Sequence, residues 1–280
     1  MCGICGFTGY RQDQKTVIER MMKAIEHRGP DSEGSFCREK ITLGFRRLSI
    51  IDLEDGQQPM ESADGNLHIV FNGEIYDYKE LRAELETFGI SFCTHSDTEV
   101  LVNTLQQYGE KALDKLRGMF GFAVWNEKEQ TLMLARDFFG IKPVYYAEID
   151  GHFVFASEIK SILAFPGYER KVNQKALEQY LSFQYSPLEE TFFKGIYKLM
   201  PGHMLLYKNG SYEIKTYFKT KLTPDKWNRK TNMDQLRSQL AEILKDSVKH
   251  HMLSDVEVGA FLSGGVDSGY LASASGADQA

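Results

Sequence analysis

A cysteine stands second in the chain, within the opening MCGICGFTG. Removal of Met1 would leave Cys2 with a free α-amine of pKa about 7.7–8.0, suited to a general base near neutrality. The thiol beside it, with an ordinary pKa of about 8.5, is already partly thiolate and intrinsically nucleophilic. One residue would then supply both nucleophile and base. Cys2 and Cys5 also form a C-x-x-C. A zinc or redox use of that pair calls for a second cysteine pair, or for a pair at a helix start. Cys37 and Cys93 do not pair by spacing and Cys2 precedes a strand-like run, so no metal site is expected and Cys5 reads as packing.

Other stretches carry residues with chemical potential. Asn72 and Gly73, followed by Glu74 in IVFNGEIY, form the Asn-Gly pair that signals a hairpin turn. The same pair can instead aim a carboxamide and a backbone N–H at one point, as an oxyanion hole requires. RRLSII (46–51) reads as a strand whose arginines are either solvated or, where one faces inward, a fork for a substrate carboxylate. HSDTE (95–99) reads as a helix N-terminus capped by Ser96 or Asp97, and an Asp97 facing a cleft could bind an ammonium group. HRGPD (27–31) is a turn by composition. In SGGVDS (263–268), two glycines and small hydroxyl residues lie between an apolar strand and a helix start. Such a loop exposes backbone N–H groups to an anion. It lacks the lysine of G-x-x-x-x-G-K-[ST], and an ordinary strand-to-helix turn is the alternative.

These residues need elements to position them. The pattern predicts a strand over 2–10 and a helix near 16–26, with Thr16 and Glu19 as a capping box and Val17, Ile18, Met21, Met22 and Ile25 as its apolar stripe. A loop over 27–34 leads to strands at ITLGFRRLSII and NLHIVFNGEIY. Asp77 and Glu80 suit the start of a helix ended by Gly89, and another helix spans Asp97 to Tyr108. The run from 118 to 157 is β-rich, and KNGS (208–211) is the turn of a later hairpin. Helices flanking this much sheet suggest layered packing. TKLTPDKWNRKTN (220–232) is the linker candidate. Beyond it a helical stripe (Leu236, Leu240, Ile243, Leu244, Val248) leads to an apolar strand, VEVGAFL, and then to SGGVDS, the grammar of a parallel α/β domain. So little chain follows that the second domain is expected to be truncated and loosely packed.

The bulk properties set limits. With 280 residues, 42% hydrophobic and 26% charged, the chain can bury a sizeable core and exceeds most single domains. A net charge of −6 gives no electrostatic reason to expect nucleic acid or an anionic membrane as partner. No apolar run approaches a membrane span and no signal-peptide pattern opens the chain. Four cysteines are too few for a secreted disulfide framework, so a cytoplasmic location with reduced thiols is expected.

In their joint order, MCGICG, HRGPDSEG, RRLSIID, FNGEIY, SDTE, RDFFGIKPVYY, FASEIK and FLSGGVDS resemble the glutamine-hydrolysing asparagine synthetase family along essentially the whole chain. The first six belong to the class II, N-terminal nucleophile glutamine amidotransferases. The resemblance implies an α+β fold, a four-layer α-β-β-α sandwich with the nucleophile on its first strand, followed by the start of a parallel α/β ATP-pyrophosphatase domain. It places the glutaminase domain at 2–218, a linker at 219–232 and the synthetase fragment at 233–280.

The same resemblance implies that Cys2 attacks the side-chain amide of L-glutamine, with Asn72 and Gly73 holding the oxyanion, and that water then hydrolyses a γ-glutamyl thioester. Glutamine-binding positions fall on Arg47, Leu48, Ser49, Ile50 and Ile51, on Asn72, Gly73 and Glu74, and on Asp97. Arg47 would take the α-carboxylate, Glu74 and Asp97 the α-amino group. Hydrolysis needs no cofactor. In a complete member the ammonia would reach a second domain, where ATP with Mg²⁺ adenylates L-aspartate on the way to asparagine. Leu262, Ser263, Gly264, Gly265, Asp267 and Ser268 match the start of that ATP site, although Gly269 replaces a customary serine. A homodimer is compatible with the resemblance. This chain is expected to hydrolyse glutamine without making asparagine. Two alternatives stay open: an amidotransferase serving another acceptor, and a non-catalytic fragment.

Overall fold

The computed structural model describes residues 1–52, 55–221 and 232–276. The chain divides into two units, Met1–Lys219 and Thr220–Ala280.

In the first unit, β1 (Gly3–Thr8), α1 (Gln14–Ala24), a 3₁₀ turn (Glu26–Arg28), β2 (Ser32–Cys37), β3 (Ile41–Arg47), β4 (Met60–Glu61), β5 (Leu67–Ile75), α2 (Tyr78–Thr87) and α3 (Asp97–Tyr108) come first. They are followed by β6 (Gly118–Asn126), β7 (Thr131–Arg136), β8 (Tyr145–Ile149), β9 (His152–Ala156), α4 (Ile159–Leu163), α5 (Gln174–Phe183), β10 (Ile196–Lys198), β11 (His203–Lys208) and β12 (Ser211–Thr216). The strands form two six-stranded antiparallel sheets, ordered β10-β8-β9-β1-β3-β2 and β12-β11-β7-β6-β5-β4.

Strand periodicity sorts the side chains into layers. Ile4, Leu43 and Phe45 of the first sheet meet Val70, Ala123, Trp125 and Leu134 of the second in an apolar seam. On the outer face of the first sheet, Cys5, Phe7 and Val154 receive Val17, Ile18, Met21 and Met22 of α1. α3 packs on β5, with α2 beside α3. The result is the expected α-β-β-α sandwich. Cys2 packs against the inter-sheet seam while Cys5 belongs to the helix-facing layer, so an odd spacing sends the two thiols to opposite faces. All four cysteines are free, and no cluster of three or more His, Cys, Asp or Glu among the described residues could hold a metal.

Several local expectations need correction. α1 begins at Gln14 with Asp13 at its cap, so Thr16 and Glu19 form no capping box. The 27–34 loop is shorter than composition suggests, because Ser32–Cys37 adds β2 to β3. β3 ends at Arg47, and Leu48–Ile51 leave the sheet. Asn72-Gly73 makes no turn: β5 runs through it, pairing Asn72 with Gly121 and Gly73 with Phe120. A β-carbon on Gly73 would run into the carbonyl of Met119, so close strand approach is what the glycine serves. The true Asn-Gly hairpin is Asn209-Gly210, both at positive φ between β11 and β12.

In the second unit, α6 (Met233–His251) packs with α7 (Val266–Ser275). The expected strand VEVGAFL is not formed: residues 256–262 pair with no strand among the described residues. A parallel strand draws its hydrogen bonds from neighbours, and none of the described residues supplies one. The proposed linker lies mostly in 222–231, outside the described residues. No helix among the described residues is long and apolar enough to cross a membrane.

Within 232–276, Val248 is the one buried residue described, whereas Leu240 and Ile243 are 57% and 65% exposed. So little burial cannot offset the entropy of ordering the segment. Brief trypsin treatment of the 280-residue chain should therefore cut within α6 while a fragment ending near Lys219 persists; equal resistance of both units, read by mass spectrometry, would contradict this.

Candidate active site

The apolar seam opens at one end into a cavity of about 270 Å³. Cys2, Arg47, Asn72 and Glu74 reach it for one reason: each lies an even number of residues from a seam residue, Ile4, Phe45 or Val70. Asp97 comes from the start of α3.

Cys2 is held at the mouth of β1. Its Sγ is 3.5 Å from both the backbone nitrogen and the carbonyl oxygen of Leu48, and Arg28 Nε donates to the Cys2 carbonyl at 2.8 Å. Burial pushes the thiol pKa up, against which the Leu48 contact, the N-terminal amine and Arg47 pull it down. Burial also lowers the pKa of the N-terminal amine, which here belongs to Met1.

Asn72 is 1% exposed, and its Nδ2 has no hydrogen-bond partner among the described residues. An unmet buried donor costs about 1–3 kcal/mol, and Asn72 carries this one on the lining of the cavity that also holds Cys2. Gln58 braces this wall: its Nε2 donates to the Phe71 carbonyl and to Thr98 Oγ1, and its Oε1 accepts from Phe71 N. One side chain thereby ties β5 to α3, fixing Asn72 relative to Asp97.

Arg46 and Arg47 separate by face. Arg46 pairs with Glu26 and Glu33 on the outer side, while Arg47 lines the cavity and donates through Nη2 to the carbonyls of Ile51 and Asp52. Asp97 accepts from the Ile75 N–H at 3.0 Å, and Ser96 caps the helix through Thr98 N. Burial, with Glu74 adding repulsion, raises the Asp97 pKa to about 7 despite its hydrogen bonds.

Among the sequence-derived positions, Cys2, Arg47, Leu48, Ile50, Ile51, Asn72, Gly73, Glu74 and Asp97 line this one cavity. Ser49 does not; its N–H donates to Asp31 Oδ2, fastening the loop from behind. Leu262, Ser263, Gly264, Gly265, Asp267 and Ser268 belong to the second unit. Lys142, Gln58 and Met119 also line the cavity without having been singled out. Lys142 stood in the quoted RDFFGIKPVYY, so a signal existed; Gln58 had none.

The cavity thus gathers a thiol, a buried amide without a partner among the described residues, and side chains of both charges. Residues 1–218 match the glutamine amidotransferase domain family, and 239–280 match asparagine synthase. The chain belongs to the glutamine amidotransferase family. It is 45% identical over 96% of its length to asparagine synthetase [glutamine-hydrolyzing] 1 of Bacillus subtilis (strain 168), covering 43% of that protein. It is 35% identical over 96% of its length to synthetase 3 of the same organism, covering 44%. The chain therefore spans less than half the length of these curated relatives. Among solved structures, glutamine phosphoribosylpyrophosphate amidotransferase from B. subtilis shares the fold, with TM-score 0.60, 18% identity and coverage of 98% of this chain and 64% of that one.

The raised Asp97 pKa makes a signed prediction. The folded state holds this proton up to about pH 7, the unfolded chain only up to about pH 3.8, so stability attached to Asp97 is lost as pH rises between them. Asp97→Asn should melt above the parent at pH 7, with the gap closing toward pH 4. A constant gap across that range would show that Asp97 ionises normally.

Proposed function

We propose that this protein hydrolyses L-glutamine to glutamate and ammonia, with Cys2 as nucleophile once Met1 is removed. The observation that carries the reading is that Asn72, whose buried Nδ2 has no hydrogen-bond partner among the described residues, lines the same cavity as Cys2. The α-amine of Cys2 takes the thiol proton as sulfur attacks the side-chain amide carbon. Asn72 Nδ2 and the Gly73 N–H receive the developing oxyanion. The protonated amine returns its proton to the leaving nitrogen, ammonia departs, and water cleaves the γ-glutamyl thioester to regenerate the thiol. Arg47 receives the α-carboxylate, and Glu74 with Asp97 receives the α-ammonium, as their charges suit.

We read 2–218 as the glutaminase domain, 219–232 as linker and 233–280 as the start of an ATP-pyrophosphatase domain, working in a cytoplasm that keeps the four thiols reduced. In the second unit the loop before α7 suits a nucleotide phosphate: Gly264 has φ +81°, and Gly265 precedes α7 without a side-chain cap. The N–H groups of Ser263 and Gly265 donate to the hydroxyls of Ser268 and Ser263 at 3.2 and 3.4 Å, bonds that a phosphate would replace. Backbone N–H groups of Ser263–Ser268 would hold the ATP phosphates, and ATP would supply adenylation of an acceptor carboxylate such as that of aspartate. The described residues offer no cluster to hold Mg²⁺ by themselves.

Glutamate release from L-glutamine, with no ATP or aspartate present, tests the glutaminase reading. Cys2→Ala should abolish it, Cys5→Ala should retain it, and Asn72→Ala should lower kcat by about 10²–10³-fold with KM little changed. Mass spectrometry of the intact N-terminus accompanies the assay. Full activity with Met1 retained, or in Cys2→Ala, would overturn the assignment.

A further inference from the structure

Lys142 is 5% exposed and lines the cavity, yet its ammonium makes no hydrogen bond and no ion pair with any described residue. A buried cation in that state is held there at a cost, so what holds it matters. The segment 137–142 is clamped from both ends. Asp137 accepts from the N–H groups of Phe139, Ile141 and Lys142 at 3.1, 2.9 and 2.9 Å. Arg136 donates to the carbonyls of Gly140, Lys142 and Leu199 at 2.6, 2.8 and 2.7 Å. Gly140, at φ +69°, allows the bend. The backbone of Lys142 is thus fixed through both its N–H and its carbonyl while its ammonium is left to the cavity.

Charge counting shows what it does there. The charged side chains lining the cavity are Arg47 and Lys142 against Glu74 and Asp97. Of the two carboxyls, Asp97 keeps its proton up to about pH 7, so below that pH Glu74 is the anion that faces an arriving α-ammonium. Without Lys142, burial would push Glu74 toward its neutral form as well, and the substrate α-ammonium would meet two uncharged carboxyls. We propose that Lys142 is a substrate-positioning residue, whose ammonium keeps Glu74 ionised so that Glu74 and Asp97 together receive the α-ammonium of an amino-acid amide. The other ionisable groups around Lys142 are Cys2 and the N-terminal amine before β1, Arg28 in the 3₁₀ turn and Asp137 at its own base. Burial lowers the Lys142 pKa while Glu74, first among the opposing charges, supports the ammonium form.

The inference rests on the glutamine-site reading but not on catalysis by Cys2, so binding tests it separately from glutamate release. Calorimetry on the 280-residue chain carrying Cys2→Ala gives Kd for L-glutamine and for glutaramate, which lacks the α-ammonium, across a pH series. Adding Lys142→Met should weaken glutamine about tenfold and move the acid-side loss of binding up by about one pH unit. Lys142→Arg should restore both, and glutaramate should bind the Met variant as it binds its Lys142 parent, which also shows that the variant is folded. Unchanged glutamine binding in Lys142→Met, an equal loss for glutaramate, or no glutamine binding by the Lys142-bearing chain would each overturn the proposal.

Discussion

Everything in the first unit depends on β1 being clasped on both sides by β3 and β9. The strand is buried along its whole length, and Ile4 is bonded in both directions to Ser157, through its N–H to Ser157 Oγ and its carbonyl to Ser157 N. A chain end is ordinarily the least ordered part of a domain. Here the second residue inherits the rigidity of a central strand, and Cys2 leaves β1 where Leu48 leaves β3. Its place just ahead of a central strand gives Cys2 a fixed position at the cavity.

The cavity follows from the two sheets diverging beyond their apolar seam. The same faces that bury Ile4, Phe45 and Val70 further in present Cys2, Arg47, Asn72 and Glu74 at the end. Side chains at those positions lose water without gaining a tightly packed neighbour. Asp97 shows the consequence, since even with the Ile75 N–H as donor its carboxyl resists ionisation. Gln58, Ser96 and the Arg136–Asp137 clamp keep the cavity from collapsing by fixing backbone on each side.

Much of this was legible in the sequence, and the failures have physical causes. Residue type offers Cys2, Asn72 and Asp97 each as one reading against packing, a hairpin turn or a helix cap, and the family resemblance is what selects them. Parity did the rest: with Phe45 inward, Arg47 is inward and Arg46 outward. The Asn-Gly hairpin signal misled because turn propensity is local, while the pairing of Gly73 with Phe120 is set by β6, more than forty residues away. Ser49 was grouped with its neighbours as part of one motif, although residues leaving a strand no longer share a face.

Lys142 and VEVGAFL mark two different limits of sequence reasoning. A lysine in a loop is read as solvated because most are, and nothing local announces that Asp137 and Arg136 will turn its loop inward. That information is spread over carbonyls at positions 140, 142 and 199, which no residue-type pattern encodes. VEVGAFL has the composition of a buried parallel strand, and composition is what a strand contributes for itself. Its hydrogen bonds and its second face must come from other strands, and without them among the described residues the segment stays unpaired. A side chain's chemistry is therefore readable one residue at a time, whereas its desolvation and its partners, which make it a site, belong to the fold.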